Sequence, residues 1–138
     1  MRIFTFLCLK GKLLTHDVML CRGMQCDLGC VLCASCQLET IYHIMFQCDY
    51  ARRFWSCYSR ILGYSIMRIG NSVQLTFTKS WRSCQGRVTR KVWGVFFFSA
   101  CWILWKERNR KIFDGKCIDA RGAAFRAWSE SLLWLQNS

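Results

Sequence analysis

One spacing constrains the fold more than any other feature of the sequence: Cys30-x2-Cys33, followed by His43 and then by Cys48. Two thiolates that lie two residues apart can bind one ion from a tight turn, and a second pair of ligands can complete a tetrahedron. Thiolate and imidazole together suit a borderline-soft ion. The spacing is therefore typical of a structural Zn²⁺ site, in which four protein ligands leave no open position for water.

The chain contains 11 cysteines, so a Cys-x2-Cys pair can also arise by chance. Cys33-x2-Cys36 repeats the spacing, and Cys26 lies close by. From spacing alone these two cysteines remain alternative ligands. His16 has no cysteine partner in register, and we expect it to be exposed. The odd number of thiols argues against a fully paired disulfide framework, and we expect an intracellular chain with reduced cysteines, nuclear or cytoplasmic.

The pattern of apolar and turn residues predicts a mainly α, small helical domain with a loop-rich CCHC zinc knuckle and a buried helix rich in Trp and Phe. The predicted segments are a knuckle with flanking helices over 4–62, a weakly patterned connection over 63–87, and an apolar helix with a basic end plus an amphipathic helix over 88–138. The predicted helices cover 17–21, 39–46, a stretch capped by Asp49, 88–113, and a last helix with Phe125, Trp128, Leu132 and Leu135 on its apolar face.

Two local details accompany this prediction. His43 and Cys48 lie five residues apart and would not share a face of an α-helix, so we expect that helix to end near Phe46 or Gln47. In the connection, the alternation of apolar residues at 73, 75 and 77 permits a short strand.

The segment from Val92 to Trp105 carries no charge and is flanked by two lysines. As a helix of about 1.5 Å per residue it would be about 21 Å long, which is short of the roughly 30 Å of a bilayer core. Apolar residues lie all round it, which indicates a core helix rather than a membrane span.

The chain has 20 Lys and Arg residues against 8 Asp and Glu, a formal charge of +12. The excess is larger in residues 70–138, and its densest run lies between Lys106 and Lys111. Such a charge on a small domain favours anionic partners, with nucleic acid first and an acidic membrane surface last.

The residues that surround the Cys/His spacing resemble a known family. They are Lys12-Leu-Leu-Thr15, Arg22-Gly-Met24, Cys30-Val-Leu-Cys33, Glu39-Thr40, His43, Phe46, Cys48 and the stretch 51–55. Together they resemble the zinc-binding domain that follows the reverse transcriptase in plant non-LTR (LINE-type) retroelement polyproteins. The stretch 102–113, WILWKERNRKIF, resembles a Trp-rich segment found downstream in the same polyproteins. The resemblance, which covers about residues 4–115, implies Cys30, Cys33, His43 and Cys48 as the ligands of a structural Zn²⁺.

The resemblance also implies that the chain is one piece of a polyprotein, with a reverse transcriptase domain upstream and often an RNase H-like domain downstream. The sequence has no Asp-Asp pair, and its eight acidic residues are scattered, mostly at predicted caps and turns. It has no Gly-rich phosphate loop and no Ser–His–Asp set. We therefore expect a module without enzymatic activity and without a small-molecule substrate.

Two functions remain open from the sequence. The first is a non-catalytic zinc module that contacts RNA or single-stranded DNA, with Tyr50 packing rather than stacking on bases. Its candidate contact residues are Arg52, Arg53, Lys106, Arg108, Arg110 and Lys111. The alternative is a structural or protein-interaction domain that bridges other polyprotein domains, or a non-functional retroelement relic.

Overall fold

The computed structural model describes residues 2–25, 27, 29–33, 37–63, 67 and 69–137. Within these ranges the chain is mainly helical, and its only β pairing is the antiparallel bridge between Gly29 and Leu38. The helices are α1 (Arg2–Leu9), α2 (His16–Cys21), a π-helical turn (His43–Gln47), α3 (Asp49–Leu62), α4 (Val73–Ser83), α5 (Arg87–Asp114) and α6 (Ala120–Gln136). The predicted small helical domain is confirmed, while the division of the chain at residues 62 and 87 stays a prediction.

The long helix α5 is the centre of the core, as the sequence predicts. Its side chains at Phe97, Ala100, Cys101 and Leu104 are completely buried. The helix ends at Asp114, where Gly115 takes the left-handed conformation with φ 75° that a residue without a Cβ adopts most easily. No helix in the described part of the chain is both long enough and apolar enough to cross a membrane.

Helix α6 packs against both α3 and α5, mainly through residues other than the predicted apolar ones. Its buried residues are small, at Ala123, Ala124, Ala127 and Ser131. Of the predicted apolar face, Phe125 is 48% exposed and Leu132 is also exposed, so the prediction was wrong for these two residues, whereas Trp128 and Leu135 are partly buried against the core. A helix that lies close to two neighbours needs small side chains at the contact, and the stripe of small residues has the same helical spacing as the apolar one.

Helix α4 occupies the segment for which the sequence predicted a connection with a possible strand. Ser72 caps it, because its hydroxyl oxygen accepts a hydrogen bond of 3.0 Å from the backbone N–H of Leu75. The buried face carries Val73, Thr76 and Ser80, which is helical spacing with two polar residues. The possible strand is not formed. A strand would place Val73 and Leu75 on the same face, but Val73 is buried and Leu75 is exposed.

Aromatic rings join the π-helical turn to α3 and α5. Phe46 stacks on Trp55 with ring centroids 6.1 Å apart, and both rings lie beside Phe97. The indole N–H of Trp55 donates to the carbonyl of Met45 at 2.6 Å. Tyr50 donates its hydroxyl to the carbonyl of residue 118 at 2.7 Å, which confirms its role in packing. The π-helical turn is thus fixed to the helical core.

Candidate metal centre

The first two predicted ligands, Cys30 and Cys33, lie on a narrow loop. The bridge between Gly29 and Leu38, together with a hydrogen bond of 3.2 Å from the N–H of Cys30 to the carbonyl of Gln37, holds the two ends of the loop side by side. Cys30 lies at the start of this loop and Cys33 lies in the turn that follows. The short Cys-x2-Cys spacing therefore directs two thiols toward the same side of the chain, as expected for a metal-binding turn.

The other two predicted ligands, His43 and Cys48, lie at the two ends of the π-helical turn. This turn explains how residues five positions apart can face the same site, which an α-helix would not allow. The backbone N–H of Cys48 donates to the carbonyl of His43 at 2.7 Å, a bond from residue i+5 to residue i. The wider winding brings two residues five positions apart to the same side of the turn. The helix does end at Gln47, as predicted. However, it is the π-helical winding, and not only the end of the helix, that brings His43 and Cys48 together.

The four predicted ligands are brought together. Their ligand atoms all lie within 4.8 Å of one another, with Cys30 Sγ 3.8 Å from Cys48 Sγ and Cys33 Sγ 3.4 Å from His43 Nε2. A tetrahedral Zn²⁺ with Zn–S bonds of about 2.3 Å and a Zn–N bond of about 2.0 Å would place two sulfurs about 3.8 Å apart and a sulfur and nitrogen about 3.5 Å apart. The arrangement fits a four-coordinate ion. Cys26 and Cys36 lie outside the described residues.

The centre is closed from solvent on most sides. Cys30, His43 and Cys48 are buried, and Cys33 is partly exposed. The contact with Cys48 lowers the pKa of the Cys30 thiol to about 5, against the opposing effect of burial. The same contact, together with burial, raises the pKa of Cys48. A cation at this position would replace a thiol proton as the partner of both sulfurs.

A buried ion pair supports the knuckle from outside the ligand set. Glu39 is completely buried and accepts hydrogen bonds from both Nε and Nη2 of Arg108 on α5, the Nε bond being 3.0 Å long. Glu39 also accepts from the backbone N–H of His16 at 3.0 Å. The ring Nδ1 of His16 lies 3.0 Å from the carbonyl oxygen of Gly29. One carboxylate thus connects α2, the knuckle and α5.

Two predictions about this network were wrong. His16 is only 7% exposed, because its backbone and ring are both used in holding the knuckle. Arg108 is only 5% exposed and its guanidinium is committed to Glu39, so it is not available to a phosphate. Both members of the pair, Glu39 and Arg108, belong to the stretches that carry the family resemblance, which was the signal available in the sequence.

The remaining candidate contact residues fall into two groups. Arg52 and Arg53 are exposed on α3. In the run at the end of α5, Arg110 pairs with the buried carboxylate of Glu107 at 3.1 Å, while Lys106 lies over the ring of Trp102, with its Nζ 5.4 Å from the centroid. Lys111 is partly exposed. The predicted basic end of α5 is therefore partly neutralised.

Glu107 is an exception to the expectation that the acidic residues lie mostly at caps and turns, because it lies within α5. It is completely buried, and besides Arg110 it pairs with Arg126 of α6 at 3.3 Å. It also accepts a hydrogen bond from the backbone N–H of Ile118 at 3.1 Å. Like Glu39, this carboxylate holds together parts of the chain that are distant in sequence.

Comparison with known proteins also points to a zinc-binding segment at the N-terminal end of the chain. The family model described as zinc-binding in reverse transcriptase matches residues 1–55, a stretch that contains all four clustered ligands. No curated protein and no solved structure gives a significant match. The first 55 residues of the chain therefore resemble the zinc-binding domain of reverse transcriptases.

Proposed function

We propose that this chain is a non-catalytic zinc-binding module from a retroelement reverse transcriptase polyprotein of the plant LINE type. The observation that carries the proposal is the closed cluster of Cys30, Cys33, His43 and Cys48. Zn²⁺ bound there would cross-link the loop to the π-helical turn. It would not act as a Lewis acid, because four protein ligands complete its coordination. Glu39 and Arg108 would orient the cross-linked loop on α5.

Native mass spectrometry of the purified chain, with and without a chelator, tests the metal. We expect one zinc ion per chain that is lost on chelation, together with protection of the knuckle from hydrogen exchange in the metal-bound form only. A chain that carries no metal after purification and refolding in excess Zn²⁺, yet keeps a protected knuckle, would overturn the proposal.

We further propose that the module contacts RNA or single-stranded DNA. Its charge of +12 supports this, as do the exposed Arg52 and Arg53 on the helix that follows the last ligand. Arg52 lines a pocket of about 460 Å³ together with Tyr42, Phe46 and Trp55. An aromatic pocket with a cation at its side suits an unpaired base and its phosphate. Lys106 and Lys111 would add further charge.

Fluorescence anisotropy with a labelled oligo(U) or oligo(dT) strand tests this second part. We expect binding that weakens steeply between about 50 and 200 mM salt, because binding releases counterions from the strand. Arg52→Gln with Arg53→Gln should weaken binding more than Arg121→Gln with Lys116→Gln, which removes the same charge elsewhere. Absence of binding, or binding that is independent of salt, would overturn the nucleic-acid role.

An interaction domain is the second candidate, and one observation favours it. Large apolar side chains are exposed on α1 at Ile3 and Phe6, and Phe113 is exposed at the end of α5. Contiguous apolar surface often marks protein interfaces, and Ile3 and Phe6, three residues apart on α1, are neighbours on its surface. A chain that binds zinc, self-associates and does not bind either oligonucleotide would favour this function over the first.

A further inference from the structure

A second pocket opens where α4 ends and α5 begins, outside the residues matched by the family model. Its volume is about 640 Å³, which lies within the range of ligand-binding sites. One aromatic and four cationic side chains line it, namely Trp81, Arg82, Arg87, Arg90 and Lys91. No carboxylate is among its lining residues in the described part of the chain.

The positive charge of this pocket is not neutralised nearby. No acidic residue occurs in the sequence between Asp49 and Glu107. Arg82, Arg87 and Lys91 are exposed, and no salt bridge to any of them is formed by the residues that the structure describes. The positive end of the α5 macrodipole lies in the same pocket and adds to the field. This contrasts with the end of α5, where Glu107 is paired with two arginines.

The aromatic component distinguishes this pocket from a simple patch of charge. Trp81 is 38% exposed, and the guanidinium of Arg90 lies over its ring, with Cζ 4.6 Å from the centroid. The Nε of Arg90 is buried, and no described residue accepts a hydrogen bond from it. The pocket thus combines a partly exposed flat ring, an arginine with an unused donor and three separated cations. A strand with alternating bases and phosphates matches that combination, because bases stack on aromatic rings and phosphates pair with Arg and Lys.

We propose that the pocket between α4 and α5 binds single-stranded nucleic acid, with one base against Trp81 and backbone phosphates on Arg82, Arg87 and Lys91. The inference rests on the proposed nucleic-acid function and assigns to it a surface that lies outside the zinc knuckle. The two surfaces would bind different parts of one strand. Cys84, which also lines the pocket, stays a neutral thiol because burial raises its pKa.

The test of the phosphate contacts is the salt dependence of oligo(U) binding by the zinc-loaded full chain. Arg87→Gln with Lys91→Gln should lower the slope of log K against log salt by about 1.4, since each phosphate contact on a single strand contributes about 0.7. The matched control, Lys116→Gln with Arg121→Gln, removes the same charge from exposed positions outside the pocket and should leave the slope unchanged.

The test of the base contact is Trp81→Leu. We expect it to weaken oligo(U) binding by about tenfold at fixed salt, which is typical of the loss of one stacked base, without changing the salt slope. Trp81→Phe should keep most of the affinity, because the smaller ring can still stack. Unchanged zinc content and unchanged circular dichroism would show that each variant is folded.

The outcomes separate the two proposals. If the unmodified chain does not bind oligo(U), the proposed nucleic-acid function fails, and this pocket assignment fails with it. If the unmodified chain binds but the pocket variants behave like the control, only the pocket assignment is overturned. A lower slope in the double variant with no effect of Trp81→Leu would support the phosphate contacts and overturn the base contact.

Discussion

Cysteine is used differently in the Cys/His knuckle (residues 29–33 and 37–48) and in the helical core formed by α3, α5 and α6. In the knuckle, Cys30 lies with its sulfur 3.8 Å from that of Cys48, beside the imidazole of His43. In the core, Cys101 of α5 is completely buried, and burial together with the neighbouring Cys8 raises its pKa. Burial is therefore shared by both sets of thiols. The nearby imidazole and the convergence of four ligand atoms distinguish a ligand from a packing residue.

The two regions also differ in what stabilises them. The knuckle has one β bridge and one π-helical turn, so few backbone hydrogen bonds hold it. The core consists of long helices packed through buried aromatic and small side chains. We expect the knuckle to depend on its metal and the core to depend on its packing, and the following substitutions test that difference from the largest expected effect to the smallest.

Cys30→Ser should abolish stable zinc binding and unfold the knuckle. Structural zinc contributes about 10–16 kcal/mol of apparent binding free energy in zinc-finger peptides, and that energy is available only with the full ligand set. The measurements are zinc content by native mass spectrometry and hydrogen exchange of residues 29–48. Cys117→Ser is the control and should keep the metal. Loss of zinc from the control but not from Cys30→Ser would contradict the ligand assignment.

Glu39→Ala should lower the free energy of unfolding by about 3–5 kcal/mol, because it leaves the buried guanidinium of Arg108 without its carboxylate. The loss should be seen in both regions, since the pair connects them. The measurement is urea denaturation of the zinc-loaded chain. Asp114→Asn, which changes an exposed acid on α5, should stay within about 0.5 kcal/mol. Equal stability of the two variants would show that the ion pair does not join the regions.

Ala127→Leu should destabilise the core by about 1–3 kcal/mol and leave zinc content unchanged. Ala127 is completely buried where α6 packs on its neighbours, so a larger side chain must displace α6. Thermal denaturation measures the effect. Phe125→Ala, on the exposed side of the same helix, serves as the control. A larger cost for Phe125→Ala than for Ala127→Leu would contradict the observed packing face.

Ser72→Ala should cost about 1 kcal/mol, because it removes the hydroxyl oxygen that caps α4. Zinc binding should not change, since α4 contributes no ligand. Ser72→Asp keeps an acceptor at the cap and should restore the stability in urea denaturation. If the aspartate variant were as unstable as the alanine variant, the cap would not be the cause.

The ligand cluster could be predicted from the sequence because its spacing is local: a Cys-x2-Cys turn and a His–Cys pair each lie within a few residues. The pairing of Glu39 with Arg108 could not, because 69 residues separate them and only the folded chain brings them together. Helix α4 was missed because its buried face includes Thr76 and Ser80, which an apolar pattern does not count. The face of α6 was misassigned because hydrophobicity does not reveal how much room a helix contact leaves.

The π-helical turn has a consequence for the length of this stretch. The hydrogen bond from the N–H of Cys48 to the carbonyl of His43 helps to set the rotation of one ligand residue relative to the other. Insertion or deletion of one residue between them would rotate Cys48 away from the other three residues of the cluster and shift every residue of α3 relative to Phe97. The number of residues between His43 and Cys48 is therefore fixed at four by the geometry of the turn, whereas an ordinary surface loop would tolerate a change in length.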